Sequence, residues 1–231
     1  MSATLSVISS MATRLILADL AKAYMQTSGC RIRVESVGGI DAVKRIREGE
    51  AFDLAVLAAD ALSRLADDGL VITDSISVFA RSPTAVAVRS GAARPQALDE
   101  MALRSVIADA RSIGLSSGPS GTAVRALLQR WSMTETPSRR VVQAPPGTPV
   151  ARLIAAGEVE IGFQQLSELL GEAGIDIVGA VPETLLPVTA FSAGICSCTR
   201  DVEHARALMA YMTSLEVDPV KRRHGMTPAG Q

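Results

Sequence analysis

The stretch Asp53-Leu54-Ala55-Val56-Leu57-Ala58-Ala59-Asp60 decides the fold. It is a short apolar run of the kind found in buried strands, and it passes directly into a helical pattern over 59–68 that Gly69 ends. Two similar units precede it: a strand over 5–9 with a helix that ends near Gly29, and a strand over 31–36 with a helix over 38–49. This βαβαβα order predicts a mostly parallel sheet with right-handed crossovers.

The alternation of strand and helix patterns continues to the end of the chain. The predicted strands span 84–89, 112–116, 140–143, 160–164, 175–179 and 187–198. The predicted helices span 98–110, 121–133, 149–156, 165–170 and 201–214, with a short helix in the tail after residue 218. No low-complexity linker interrupts this order. The sequence therefore predicts an α/β protein with doubly wound, mostly parallel sheets, in which any two lobes are joined by strands or short hinges.

The composition excludes several classes of partner. Four Phe, two Tyr and one Trp in 231 residues are too few for a surface that stacks nucleobases or sugars. A formal net charge of -1 also argues against a polyanionic partner. We therefore expect a small ligand and no nucleic acid. Only Lys22, Lys44 and Lys221 are lysines, and we attribute the resulting excess of arginine mainly to codon usage.

The sequence shows no motif for a membrane span, a metal or a cofactor. It begins without the basic and apolar regions of a signal peptide, and it has no run of 18 apolar residues. Cys30, Cys196 and Cys198 are interpreted as small apolar residues, because their odd number and spacing do not suit a disulfide framework or a metal site. We expect a cytoplasmic location for the chain as it stands, and a periplasmic one if a leader peptide was removed.

Small, donor-rich residues mark the points where predicted strands run into helices. The strongest case is Ser116-Ser117-Gly118-Pro119-Ser120-Gly121-Thr122, where free N–H groups and the positive end of a helix dipole could hold an anion. Ser9-Ser10 and Gly38-Gly39 have the same character at two other junctions. Ligands of open α/β sheets bind at the carboxyl ends of the strands, so three such junctions together favour an anion site over plain serine-capped turns.

Gln164 and Gln165 fall at a fourth junction. Their amides could supply directional donors, although a solvent-facing helix start fits the sequence equally well. The full set of predicted ligand-binding residues is Ser9, Ser10, Gly38, Gly39, Arg81, Ser117, Ser120, Gly121, Thr122, Arg125, Gln164 and Gln165. The signatures of common hydrolases and zinc enzymes are missing, so no metal ligand and no catalytic group follows from motifs alone.

The order of these segments resembles the type II periplasmic binding proteins, and within them the molybdate-binding branch. The resemblance covers nearly the whole chain, and it rests more on the order and spacing of the segments than on any single motif. The segments that carry it are Val7–Ala12 with Leu20–Tyr24, Val37–Gly39, Glu48-Gly49 to Asp60, Gly69–Val71, Gly157-Glu158 with Ile161–Phe163, and the final helix over 205–215.

The resemblance implies two α/β lobes with a small-anion site in the cleft between them. Lobe one would comprise 1–80 and 188–231, and lobe two 81–187, with hinges near Ala80-Arg81 and Pro187-Val188 that allow closure around a ligand. It also implies that serine hydroxyls and backbone N–H groups hold the anion, with Ser10 and Gly39 at such positions. An ABC permease is an expected partner only if the protein is exported.

Two departures from the molybdate-binding pattern keep the ligand open between an oxyanion and a polycarboxylate. Gly38-Gly39 stands where a Gly-Ser type of pair is expected, and Gln164-Gln165 stands where a tyrosine-containing segment is typical. A second hypothesis is therefore a cytoplasmic isomerase similar to aconitate isomerase, a member of the same superfamily that moves a double bond in a tricarboxylate.

The isomerase hypothesis needs carboxylate-binding groups and one base that reaches carbon. The candidate binding groups belong to the set above: Ser10, Arg81, Ser117, Ser120, Thr122 and Arg125. Glu168 is the candidate base, and only its position near the fourth junction supports this choice.

Overall fold

The computed structural model describes residues 4–94, 98–134 and 140–229 of the chain. The chain divides into two compact units, Met1–Ser82 with Ala190–Gln231, and Pro83–Thr189. Each unit is built on one five-stranded sheet with helices packed against it. The predicted α/β class with two doubly wound lobes is confirmed.

The first unit contains a sheet with a parallel part and one antiparallel strand. Its strands are β1 (Thr4–Ser10), β2 (Arg31–Val37), β3 (Leu54–Ala58), β4 (Ser77–Ser82) and β10 (Thr189–Ile195). Its helices are α1 (Arg14–Ser28), α2 (Gly39–Arg47), α3 (Ala59–Asp67), α8 (Val202–Thr213) and α9 (Asp218–Arg223). The strand order is β2-β1-β3-β10-β4; β1 is parallel to β2 and β3, whereas β10 is antiparallel to β3.

Alternate residues of the central strands enter two separate apolar cores in this unit. In β3, Leu54 and Val56 pack into a core with α1 and α8, whereas Ala55 and Leu57 pack into a core with α2 and α3. Successive side chains of a strand point to opposite faces, so helices cover both faces of the sheet. This explains why every residue of β3 is apolar and why the sequence predicts a buried strand there.

The second unit repeats this architecture in a different order. Its strands are β5 (Thr84–Arg89), β6 (Ser112–Leu115), β7 (Arg140–Gln143), β8 (Ile161–Gln165) and β9 (Ile175–Ala180). Its helices are α4 (Glu100–Asp109), α5 (Pro119–Arg130), α6 (Val150–Ala155) and α7 (Leu166–Leu169). The strand order is β7-β6-β8-β5-β9; β6 is parallel to β7 and β8, and β5 is antiparallel to β8 and β9.

The pairing brings the carboxyl ends of several strands to one edge of each sheet. In the first unit, β1, β2 and β3 end at the edge where β10 begins, since Phe191 pairs with Ala58. In the second unit, β6, β7 and β8 end at the edge where β5 begins, since Thr84 pairs with Gln165. We call these the carboxyl edge of the first sheet and the carboxyl edge of the second sheet.

Four local expectations differ from the structure. The pattern misses β4, because only the middle of Ser77–Ser82 is apolar. The helix expected from Ser10 starts with a 3-10 turn at Met11–Thr13, and α5 begins at Pro119 rather than at Gly121, since proline is favoured in the first turn of a helix. The last strand ends at Ile195, so Cys196 is buried but Cys198 is exposed and is not a core residue.

Gly121 provides a test of how closely α5 packs on the end of β6. A Cβ at this position would lie 1.8 Å from the Ser116 backbone oxygen, whereas a Cβ at Gly39 would meet nothing within 4 Å. We expect Gly121→Ala to lower the free energy of unfolding by about 2 kcal/mol or more. Gly39→Ala, the matched control, should change it by less than about 1 kcal/mol. Equal effects in urea denaturation would contradict the close approach.

Candidate functional site

Serine hydroxyls cluster at the carboxyl edge of the first sheet. Ser9 is fully buried, its Oγ lies 2.7 Å from Ser36 Oγ, and it donates a weaker bond to the Ser10 carbonyl at 3.3 Å. The Thr13 hydroxyl also donates to the Ser10 carbonyl, at 3.1 Å. The hydroxyls of Ser9, Ser36 and Thr13 thus form hydrogen bonds within the protein. Those of Ser9 and Thr13 hold the backbone carbonyl of Ser10.

Ser10 differs from its neighbours because its hydroxyl has no partner. Ser10 precedes the 3-10 turn, is 7% exposed, and its buried Oγ makes no hydrogen bond with any described residue. More than nine in ten buried polar groups in proteins are paired, so an unpaired one calls for an explanation. A bound ligand at the carboxyl edge of the first sheet would supply the partner.

Gly38 and Gly39 form the start of α2. Gly38 precedes the helix and provides no side-chain cap. A Cβ atom added to Gly39 would meet no other atom within 4 Å. The Asp41 carboxylate lies in the first turn and would be 3.0 Å from a Cβ on Gly38. The first N–H groups of α2 therefore have no capping side chain from Gly38, and the negative charge of Asp41 partly offsets the helix dipole there.

Arg81 lies near the end of β4 and is partly buried. Its backbone N–H and C=O pair with those of Thr227 at 2.8 Å each, which ties the C-terminal segment to β4. Its Nε is buried without a hydrogen-bond partner among the described residues. Arg81 is therefore a second unpaired donor of the first unit, and it carries a positive charge.

In the second unit, residues 116–121 form a compact turn that is partly structural. Ser116 Oγ lies 2.9 Å from Ser120 Oγ and accepts a bond from the Gly121 N–H at 3.1 Å. Ser120 is almost fully buried, and Gly121 is required by the close approach to Ser116. Ser120 and Gly121 therefore build the turn, whereas the half-buried Ser117 makes no hydrogen bond within the described chain.

Thr122 and Arg125 lie further along α5 and are exposed. The Thr122 hydroxyl bonds back to the Gly118 carbonyl at 3.4 Å, and Arg125 contacts Gln143 Oε1 at 3.4 Å. Gln143 ends β7, so Arg125 reaches along the carboxyl edge of the second sheet. Thr122 is engaged within its own helix, and Arg125 is the more available group for an anion.

Gln164 bridges the start of α6 and Glu168. Its Oε1 accepts a bond from the Val150 N–H at the start of α6, at 2.8 Å, and its Nε2 donates to Glu168 Oε2 at 2.7 Å. The amide thus caps α6 from a distance and fixes the Glu168 carboxylate. Both ends of the Gln164 amide thus have a partner in the protein, and its expected role as a ligand donor stays a prediction.

Gln165, the next residue, faces the other side of the sheet and is only partly used. Its Nε2 donates to the Thr189 hydroxyl at 2.7 Å, but its Oε1 is buried without a partner in the described chain. Thr84, opposite Gln165 in the antiparallel pair, also has a buried and unpaired hydroxyl. Thr84 and Thr189 were not predicted from the sequence, because each lies at a strand end without a glycine or a helix signal beside it.

The helices differ in how their first N–H groups are capped. α4 and α8 are capped by aspartates: Asp99 accepts from the Ala102 N–H at 2.8 Å, and Asp201 from the His204 N–H at 3.3 Å. The residues before α2, α3 and α5 provide no side-chain cap. A capping carboxylate would compete with an anion for the same N–H groups, so the uncapped starts suit an anionic ligand.

The only pKa shift that bears on these helix starts belongs to a capping residue. The hydrogen bond from the His204 ring holds the pKa of Asp201 below its ordinary value, so Asp201 remains a charged cap at neutral pH.

The His, Cys, Asp and Glu side chains of the described residues are dispersed. Among them, no cluster of three or more His, Cys, Asp or Glu side chains could hold a metal ion. Burial raises the pKa of Cys196 to about 12, so this thiol stays protonated and unreactive. In the same described part of the chain, no helix is long and apolar enough to span a membrane.

Two α/β units whose carboxyl edges carry hydroxyls, free N–H groups and an arginine with one unpaired N–H group define a ligand-binding protein of the two-lobed periplasmic type. Comparison with known proteins agrees with this class. Residues 5–227 match the family of bacterial extracellular solute-binding proteins, and the chain belongs to that family. The family description speaks of extracellular proteins, and the expected cytoplasmic location is not confirmed.

Individual relatives are distant in sequence. The chain is 29% identical to an aconitate isomerase of Pseudomonas sp. over 230 residues, covering 97% of this chain and 88% of the relative. Its fold is similar to the periplasmic molybdate-binding protein of Azotobacter vinelandii, with a TM-score of 0.80, 19% identity and coverage of 96% and 98%. The sulfate-binding protein of Mycobacterium tuberculosis gives a TM-score of 0.74 at 14% identity, with coverage of 98% and 87%.

The bridging role of Gln164 can be tested by removing its amide. We expect Gln164→Met to lower the free energy of unfolding by about 2–3 kcal/mol, because the Val150 N–H and the Glu168 carboxylate both lose a buried partner. The exposed Gln143→Met is the control and should change the free energy by less than about 0.5 kcal/mol. Similar stabilities of the two variants in urea denaturation would show that Gln164 is not a structural bridge.

Proposed function

We propose that the protein binds a small anion at the carboxyl edges of its sheets, as an oxyanion- or polycarboxylate-binding solute receptor. One observation carries the proposal: three buried donor atoms without partners among the described residues, Ser10 Oγ, Arg81 Nε and Thr84 Oγ1, belong to residues at or beside these edges. Leaving such groups unpaired costs stability, and a ligand that pairs them offsets the cost.

The helix starts supply the remaining attraction for negative charge. The first N–H groups of α2, α3 and α5 point away from their helices without a capping side chain, and each helix carries a positive partial charge at this end. Ser10 and Ser117 add hydroxyl donors, and Arg81 and Arg125 add guanidinium groups. The names of the molybdate- and sulfate-binding neighbours are consistent with such a ligand.

The ligand-binding residues of the proposal are fewer than the sequence predicts. Ser10, Gly38, Gly39, Arg81, Ser117, Arg125 and Gln165 remain as ligand-binding groups. Ser9, Ser120, Gly121, Thr122 and Gln164 support the backbone around them instead, on the contacts described above. The interlobe cleft and its closure stay predictions of the resemblance, and small-angle scattering with and without ligand would test them.

A solute receptor of this family would work outside the inner membrane and deliver its ligand to an ABC permease. The location outside the inner membrane follows from the family description, and delivery to an ABC permease stays a prediction of the resemblance. Fractionation of cells that express the protein from its native gene would place it in the periplasm, and recovery in the cytoplasm would instead favour the second function below.

The second candidate function is isomerisation of a small polycarboxylate, which the 29% identical aconitate isomerase relative suggests. Glu168 would remove a proton from carbon, the double bond would move by one position, and the same carboxyl would return the proton to the far allylic carbon. Gln164 holds Glu168 Oε2 at 2.7 Å, which fixes the carboxylate in one orientation. Fixed orientation is what a base that acts on two carbons requires.

Anion binding is tested by thermal denaturation with molybdate, tungstate, sulfate, citrate and trans-aconitate. A ligand at 100 times its Kd stabilises the folded protein by about 2.7 kcal/mol, which is a clear shift in Tm. Ser10→Ala and Ser117→Ala should each weaken binding about tenfold, through loss of a hydrogen bond to a charged group, and neither should lower the Tm without ligand. Ser214→Ala removes a buried unpaired hydroxyl elsewhere and should bind as the original protein does. No shift with any anion would refute the proposal.

Isomerase activity is tested by following trans-aconitate in the ultraviolet and by resolving the products chromatographically. If Glu168 is the base, Glu168→Gln should lower kcat at least 100-fold and leave the affinity for trans-aconitate within a few-fold. Glu172→Gln, a substitution in the loop after α7, is the control and should retain activity. Binding of trans-aconitate without turnover would exclude the isomerase and leave the receptor.

A further inference from the structure

Thr84 and Gln165 form a neutral, buried polar pair at the carboxyl edge of the second sheet. They lie opposite each other in the antiparallel pairing of β5 with β8, so their side chains share one face of the sheet. Thr84 is 2% exposed and Gln165 is 1% exposed. Thr84 Oγ1 and Gln165 Oε1 nevertheless have no hydrogen-bond partner among the described residues.

The pair interrupts an otherwise apolar surface. The next residues on the same face of the two strands, Val86 and Phe163, are fully buried and belong to the apolar core under α4 and α5. Apolar side chains at positions 84 and 165 would extend that core. Replacing Thr84 in this way would remove no hydrogen bond, because its hydroxyl makes none with a described residue. The two polar groups therefore weaken the unliganded protein, which is expected of groups that serve a ligand.

The chemistry of the pair differs from that of the other binding groups. A threonine hydroxyl both donates and accepts, and a glutamine amide presents either oxygen or nitrogen when it turns over. Thr189 Oγ1, which is 2.7 Å from Gln165 Nε2, can accept from the amide nitrogen or donate to the amide oxygen, so it supports both orientations. The pair is thus suited to an oxygen function next to apolar surface.

We propose that Thr84 and Gln165 form a subsite for a second oxygen function on an organic anion, so that the ligand is a small polycarboxylate or hydroxycarboxylate rather than an inorganic oxyanion. The inference rests on the proposed anion-binding function. The charged end of the ligand is held by the uncapped start of α5 and by Arg125 of the same unit. Gln165 Oε1 as placed is an acceptor, and sulfate or molybdate has no hydrogen to donate to it, whereas the hydroxyl of a hydroxycarboxylate has one.

The test compares four ligands by calorimetry on the full chain. Citrate and tricarballylate carry the same three carboxylates and differ in one hydroxyl, and sulfate and molybdate represent inorganic oxyanions. We expect the original protein to bind at least one tricarboxylate tenfold or more tightly than either inorganic ion. Thr84→Val should weaken tricarboxylate binding about tenfold and change any binding of the inorganic ions by less than twofold. A larger loss for citrate than for tricarballylate assigns the subsite to a hydroxyl, and an equal loss assigns it to a carboxylate.

Two control variants separate binding from folding. Thr84→Ser keeps the hydroxyl and should restore most of the tricarboxylate affinity, and Ser214→Ala should leave all affinities unchanged. Thr84→Val should also raise the Tm of the ligand-free protein by about 2–4 °C, because it removes a buried unpaired hydroxyl.

The possible failures of the test are distinct. Preference of the original protein for sulfate or molybdate, or an equal effect of Thr84→Val on both classes of anion, would overturn this inference while anion binding stands. Failure of all four ligands to bind would overturn the proposed function itself.

Discussion

The arrangement of both units depends on strands that run into helices with almost no loop between them. β3 ends at Ala58 and α3 begins at Ala59, and β8 ends at Gln165 where α7 follows at Leu166. Such short connections leave the first N–H groups of each helix at the sheet edge, and small residues such as Gly38 and Gly118 provide no side chain to cap them. The carboxyl edges therefore collect unpaired donors because of how the chain connects its elements.

The sequence predicts the helices and strands well because the sheets are covered on both faces. Fully apolar strands such as β3 and amphipathic helices between them leave little choice of element type. β4 is missed for a related reason: it carries polar residues at its ends, where the chain leaves the first unit. The junctions at Ser9-Ser10, Gly38-Gly39 and 116–122 are found because strand ends and helix starts carry small residues that are recognisable without tertiary information.

The roles of individual side chains at these junctions depend on tertiary partners that a linear pattern does not contain. Ser9 and Ser10 are adjacent serines, yet Ser9 is paired with Ser36 from β2 and Ser10 is unpaired. Gln164 and Gln165 are adjacent glutamines on opposite faces; the first is held by α6 and Glu168, and the second faces Thr84 and Thr189. Which of two identical neighbours is free for a ligand follows from the strand pairing, so only the structure separates them.

The C-terminal segment supports the unpaired arginine of the first unit. Thr227 pairs with the backbone of Arg81, and Lys221, which is 1% exposed, lies 3.2 Å from Asp218 and 5.7 Å from the ring centre of Phe79 on the same strand, β4. A buried ion pair contributes little net stability, but it fixes the position of the segment that carries it. The segment after α8 therefore aligns β4 and with it the backbone of Arg81. The proposed site draws its positive charge from Arg81, Arg125 and the helix starts, so it does not require a net positive charge on the chain.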